Sequence, residues 1–265
     1  MKQRVITGVL LGLLALWGLI GSSDLWFGVI VFAIVLLSAN EWFQFVGLKS
    51  LFHRLIYLLV ISAGVMLSFC FALMTLWISL AFWLCALWYL SRYSKVSVER
   101  LLPNWVKYVM GLFVIVPLWV SLSWLHGYSV SMLIMLILVI AMGDSGAYFA
   151  GRAMGKTKLA PVLSPKKTVE GLIGGVLLGG LTAFIFADFI TESLQDYLFL
   201  ATLMTFMVLV AVVGDIFESM IKRSCGIKDS GRILPGHGGI LDRIDSLFPA
   251  VPIFVLMAYY LGLLN

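Results

Sequence analysis

Apolar runs about 20 residues long, each closed by a short polar segment, recur from one end of the chain to the other. A run of that length, coiled at about 1.5 Å per residue, matches the hydrocarbon thickness of a bilayer. The pattern predicts about nine transmembrane helices, at roughly 5–21, 24–46, 54–72, 74–91, 105–124, 129–150, 169–190, 196–217 and 246–264. The first follows Met1-Lys2-Gln3-Arg4 and has the charged flank of a signal peptide. It lacks a small-x-small cleavage site and a second run follows at once, so it reads as an anchor. Gly171, Gly175 and Gly179 open the seventh run at four-residue intervals. Small residues so spaced let helix backbones approach closely in lipid, and packing within the protomer is the expected use. The predicted fold is an all-α polytopic integral membrane protein with a polar active-site groove on the cytoplasmic face. Its parts are residues 1–72 with the first helices, 73–150 with the middle ones, and 151–265 as the catalytic region.

Polar positions test the span count. All 18 lysines and arginines fall in alternate connections: before the first run, and between the second and third, fourth and fifth, sixth and seventh, and eighth and ninth. The opposite connections carry acids such as Asp24, Glu192 and Asp196. The positive-inside rule then places the N-terminus in the cytoplasm and the C-terminus outside, in a cytoplasmic (inner) membrane. Apolar residues make up 62% of the chain and charged residues 12%, against about a quarter charged in soluble domains. The net charge of +5 is therefore a consequence of topology, not a nucleic-acid footprint, and no nucleic-acid partner is expected. Cys70, Cys85 and Cys225 have neither zinc-ligand nor disulfide-framework spacing.

Most candidate chemistry lies between Asp215 and Asp245. Five acids (Asp215, Glu218, Asp229, Asp242, Asp245) are interleaved there with Lys222, Arg223, Lys228, Arg232 and Arg243. Carboxylates suit a hard divalent cation, Arg and Lys suit phosphate oxygens, and glycines let backbone amides approach an anion. If the eighth helix continues past 217, Asp215, Ser219 and Lys222 share one face at i, i+4 and i+7, and Gly226 can stop the helix. Asp242 and Asp245, at i and i+3, can face the same site. Pro235-Gly236-His237-Gly238-Gly239 resembles a backbone nest, with His237 as donor or proton carrier. Asp144 lies inside a span beside the basic loop 151–168, where an ionisable group is costly and points to function. Glu41 and Asp188 read as interface-exposed or hydrogen-bonded structural acids, and His53 and His126 as isolated interface residues. No Ser-His-Asp or Cys-His arrangement stands out. Phosphoryl or nucleotidyl transfer with a metal needs no protein nucleophile, only positioned anions, cations and basic residues.

The run Ser219-Met-Ile-Lys222-Arg223, then Lys228-Asp229-Ser-Gly231, Leu234-Pro235-Gly-His237-Gly238-Gly239 and Asp242-Arg243-Ile-Asp245 resembles the signature of the phosphatidate cytidylyltransferase (CDP-diacylglycerol synthase) family. Upstream, Asp144-Ser-Gly-Ala-Tyr148, Gly151, Gly155-Lys156 and Ser164-Pro165-Lys166-Lys167-Thr168-Val-Glu170-Gly171 are similar to the same family. The resemblance covers roughly the C-terminal half; the first ~140 residues match only as apolar spans.

What the resemblance implies is transfer of CMP from CTP to phosphatidic acid, with Mg²⁺, a second and monovalent cation, and a homodimer in the lipid bilayer. Expected metal ligands are Asp144, Asp215, Asp229, Asp242 and Asp245. Catalytic roles are expected for Asp215, Lys222, Arg223, Asp229, His237, Asp242 and Asp245. Substrate contacts are expected from Ser219, Lys228, Gly238, Gly239, Arg243, Lys166, Lys167 and Thr168. Rival readings are a related lipid-phosphate nucleotidyltransferase or lipid kinase, and an ion-coupled transporter. Acids clustered at one face, with no matched broken helices, weigh against the transporter.

Overall fold

The computed structural model describes residues 12, 16–47, 50–93, 103–231 and 238–264. Its longer helices are α1 (Asp24–Val46), α2 (Leu51–Cys70), α3 (Ala72–Tyr93), α4 (Asn104–Tyr128), α5 (Val130–Met154), α6 (Val169–Ala187), α7 (Leu194–Ser224) and α9 (Leu247–Tyr260). A single-turn helix, α8 (Leu241–Ile244), precedes α9. The first seven are long and apolar enough to cross a membrane. The protein is thus an all-helical, multi-pass membrane protein in outline. Most of the first predicted span lies outside the described residues.

Three features depart from the expected pattern. The last predicted span is a 14-residue helix, α9, which reaches about 21 Å against a hydrocarbon core of about 30 Å. Phe248, Val251, Phe254 and Val255 on it are buried in the protein, against α7, α4 and α3. An apolar sequence looks the same whether protein or lipid covers it. Second, the basic loop is no simple coil. Strands β1 (Lys158–Ala160) and β2 (Ser164–Thr168) pair antiparallel, Lys158 opposite Thr168 and Ala160 opposite Ser164. Third, His126 is no lone interface residue. It is buried, with Nδ1 2.8 Å from Asp24 Oδ1 and its ring stacked 3.9 Å from Phe27, joining α4 to the start of α1.

Helix α7 is longer than its apolar pattern suggested. Its 31 residues extend about 46 Å, well beyond a hydrocarbon core. The last turns therefore project as a polar extension, stopped at Gly226 with φ +68°, the left-handed cap that glycine favours. Helices α5 and α6 form the closest pair, through glycine. A Cβ on Gly175 would lie 2.8 Å from the Gly143 carbonyl oxygen, and one on Gly171 2.9 Å from that of Ala147. The four-residue glycine spacing thus serves contact within the protomer, and it fixes Asp144 on α5 relative to the hairpin that leads into α6.

Candidate active site

The site is built on the polar end of α7. Asp215, Glu218, Ser219 and Lys222 follow one another at helical spacing on a single face. Lys222 Nζ lies 2.6 Å from Asp242 Oδ1 on α8 and 3.3 Å from Glu218 Oε2. The Ser219 hydroxyl is 3.5 Å from Asp215 Oδ1. Asp245, at the end of α8, faces both Asp215 and Glu218. Gly214 allows that approach, since a Cβ there would collide with the Asp245 carbonyl oxygen and crowd Pro249.

From the other side, α5 and the hairpin complete the cluster. Asp144, Lys166, Lys167, Thr168 and Asp215 line a cavity of about 300 Å³. Lys167 Nζ is 2.5 Å from Asp215 Oδ2. Thr168 is the N-cap of α6, its Oγ1 accepting from the Gly171 amide at 3.1 Å, so its contribution is first to aim the hairpin. The Glu170 carboxylate accepts from the Lys156 and Thr157 amides at 3.1 Å and closes the hairpin's other end.

The two aspartates Asp242 and Asp245 differ in how readily they ionise. Burial alone would raise the Asp242 carboxyl. Hydrogen bonds from Lys222 and from the Gly239 and Ser230 amides, each amide 2.9 Å from Oδ2, outweigh it and hold Asp242 below its ordinary value. Burial, with the Asp215 charge beside it, pushes Asp245 up to about 6. Ionised Asp245 therefore opposes folding. Its contribution is favourable at low pH and is lost as pH rises from the ordinary carboxylate range through about 6. Asp245→Asn is expected to raise the melting temperature of the cation-free protein at pH 7.5 by a few degrees, and to leave it unchanged at pH 4. A lower melting temperature at pH 7.5 would show that the charge is already compensated.

The clamp on this loop was not foreseen. Glu41 is fully buried near the end of α1. Its Oε2 accepts from the Leu241 amide at 2.9 Å and from the Ser230 hydroxyl at 3.2 Å. A Cβ on Gly231 would collide with its Oε1, and one on Gly239 would meet Oε2 at 2.5 Å. Glu41 is a hydrogen-bonded structural acid, as expected of its type, but what it holds is the loop that carries Asp242. Glu218, noted only as one acid among several, is likewise inside the cluster.

Other expected residues stand apart. Asp229 and Lys228 are exposed in the turn after α7, and the Asp229 side chain makes no ion pair or hydrogen bond among the described residues. Arg223 donates to the Ile227 carbonyl at 3.2 Å and ties that turn. Arg243 is exposed on α8; Lys166, exposed on the hairpin, does not stand apart but lines the cavity with Asp144 and Asp215. Gly238 has φ +85°, and the Gly239 amide, expected to meet an anion, meets the Asp242 carboxylate. His237 and Arg232 lie outside the described residues.

The family model described as "Cytidylyltransferase family" matches residues 2–261. The chain belongs to the cytidylyltransferase family. It is 35% identical to a protein of Pseudomonas aeruginosa named phosphatidate cytidylyltransferase, over 99% of this chain and 98% of that one. A protein of the same name from Haemophilus influenzae is 33% identical over 98% of this chain and 99% of its own. One from Helicobacter pylori reaches 47% identity over 48% of this chain and 47% of its own. Membership of the family covers the spans of the N-terminal half as well as the polar cluster, so Glu41 and Asp242 belong to one matched unit.

Proposed function

We propose that the protein transfers CMP from CTP to phosphatidic acid, giving CDP-diacylglycerol and pyrophosphate, at the cytoplasmic face of the inner membrane. The near full-length likeness to phosphatidate cytidylyltransferases carries this reading. The acid and lysine cluster gives it a physical basis.

In the reaction a lipid-phosphate oxygen attacks the α-phosphorus of CTP. A new P–O bond forms as the bond to the β-phosphate bridging oxygen breaks, and pyrophosphate leaves with that electron pair. Nothing needs to be held covalently, so the chain's work is positioning and charge compensation. Lys222, fixed between Glu218 and Asp242, presents an ammonium group within the acid cluster. Lys167, with Lys166 beside it, offers cationic contacts at the mouth where the lipid phosphate arrives. Arg223, Lys228, Arg243 and His237 are further candidates for the triphosphate, and Ser219, Gly238 and Gly239 for shorter contacts.

The carboxylates fit a divalent cation. Asp215 lies beside both Asp144 and Asp245, with Lys167 as their described counter-charge, and burial makes Asp245 ionise reluctantly. No described group of three acid, imidazole or thiol ligands converges as a ready cage. That suits Mg²⁺, which takes one or two carboxylates and completes its shell with water and substrate phosphates. Asp215, with Asp245 or Asp144 beside it, would hold it, with Asp242 and Asp229 as outer candidates; bound there, Mg²⁺ would offset charge on the triphosphate. No set of described residues singles out the second, monovalent cation.

Purified protein given phosphatidic acid, labelled CTP and Mg²⁺ should form a lipid-soluble cytidine product, and chelation with EDTA should stop it. Product without added divalent cation after chelation would overturn the metal assignment. Labelled ATP supporting lipid phosphorylation instead would favour the kinase.

The topology proposed with this function has about nine helices in the membrane, the short α9 among them enclosed by its neighbours rather than by lipid, with the N-terminus inside and the C-terminus outside, in a homodimer. The clustering of Lys156, Lys158, Lys166 and Lys167 in one connection supports it. Cysteines introduced at Lys158 and at Glu192, in a background lacking the native three, should differ in labelling by an impermeant maleimide on intact cells. Only the position at 192 should react, and the reverse pattern would invert the topology.

A further inference from the structure

The polar cavity has an apolar neighbour that the reaction above leaves unused. A groove of about 380 Å³ lies between α3, α7 and the hairpin. It shares Leu159, Leu172 and Val212 with the wall of the cavity that holds Asp144, Lys167 and Asp215. From there it descends along α7 past Ile216 and Val213 to Leu209, about 10 Å of helix at 1.5 Å per residue. The far wall is Leu87 and Leu90 of α3. The hairpin supplies both compartments: Leu163, buried, roofs the groove, while Lys166 and Lys167 reach the polar cavity. A larger cavity of about 650 Å³ lies at the opposite end of the helices, beside Asp24 and Trp119. It adjoins no acid and lysine cluster.

We propose that the groove seats one acyl chain of the lipid substrate while its phosphate occupies the adjoining polar cavity. The inference rests on the phosphatidate reading above, and extends it to the part of the lipid that does not react. The direction is right for a lipid: the charged end sits at the polar tip of α7, and the apolar path leads away from it along the membrane-spanning part. The gain from such a seat is not burial from water, since the chain comes from hydrocarbon already. It is orientation, because a chain held against α7 fixes the angle at which the phosphate oxygen meets the nucleotide. A short-chain lipid would fill the mouth of the groove and never reach Leu209.

The test uses the purified full-length protein, Mg²⁺ and CTP with two substrates, dioleoyl phosphatidate in mixed micelles and water-soluble dihexanoyl phosphatidate. Leu209→Trp blocks the far end of the groove, remote from the polar cluster. Turnover of the dioleoyl substrate should fall about 10- to 100-fold, the scale of a misplaced reactant, while the dihexanoyl substrate stays within about twofold of wild type. Leu87→Trp, from the facing helix, should repeat the pattern and serves if Leu209→Trp lowers the melting temperature. Equal losses on both substrates, or no loss on the long-chain one in either variant, would overturn the acyl seat. Wild-type protein that makes no cytidine lipid from either substrate would instead remove the transferase reading itself.

Discussion

Lys222→Met combined with Glu218→Gln is expected to give a folded protein that has lost about 10²–10³-fold of its CDP-diacylglycerol synthesis, the range for deleting one fixed charge-stabilising donor. The pairing of substitutions matters. Lys222 stands between two carboxylates, with its own side chain and that of Asp242 each 11% exposed and that of Glu218 3% exposed. Lys222→Met alone would strand buried negative charge, at a cost of about 3–5 kcal/mol, and lost activity could then be lost fold. Removing Glu218's charge along with the lysine leaves the formal charge of the cluster unchanged, and Asp242 keeps its Ser230 and Gly239 amides. A melting curve in detergent and the labelled-CTP assay report the two effects separately. A double variant that melts like wild type and still synthesises product at the wild-type rate would take Lys222 out of the chemistry. One that fails to fold would be followed by Lys222→Arg, which keeps the charge. That variant is expected to fold and to lose activity through the changed donor geometry.

How far the site was legible in the sequence depends on how far apart its parts lie along the chain. The face of α7 could be read directly, because Asp215, Ser219 and Lys222 repeat at helical spacing and Gly226 marks a stop. Helix α8 brought Asp242 and Asp245 along for the same local reason. What could not be read was the meeting of α5, the hairpin and α8 around α7, which depends on glycine contacts between helices remote in sequence. Gly214 admits the Asp245 backbone, a use that its place beside Asp215 in the sequence does not show. The hairpin was hidden because five basic residues in a loop are fully explained by topology. The short α9 was hidden because burial by protein and burial by lipid select the same side chains. Glu41 did leave a signal, an acid inside an apolar run. Its partner lay some 190 residues onward, where no local pattern could show it.

That distant contact leads to the second large effect. Glu41→Leu is expected to cut synthesis by about 10²-fold, the scale of a small misplacement of reacting groups, although Glu41 touches neither nucleotide nor lipid in the proposed arrangement. The substitution leaves the Leu241 amide and the Ser230 hydroxyl without their acceptor, each costing about 1–3 kcal/mol when buried. Both lie one residue from a group that fixes Asp242: Leu241 precedes it, and Ser230 gives its own amide to Asp242 Oδ2. Loss of the clamp should therefore loosen Asp242 and, through it, Lys222. Glu41→Gln retains a carbonyl acceptor of the same reach and should recover most of the activity, which a general loss of packing would not allow. Gly231→Ala approaches the same contact from the loop side, where the added methyl would collide with Glu41 Oε1, and should reproduce the Glu41→Leu defect. Steady-state kinetics against CTP locate the fault: a positioning role lowers kcat more than it raises KM. Full activity in Glu41→Leu would mean that the loop holds Asp242 in place without any help from α1.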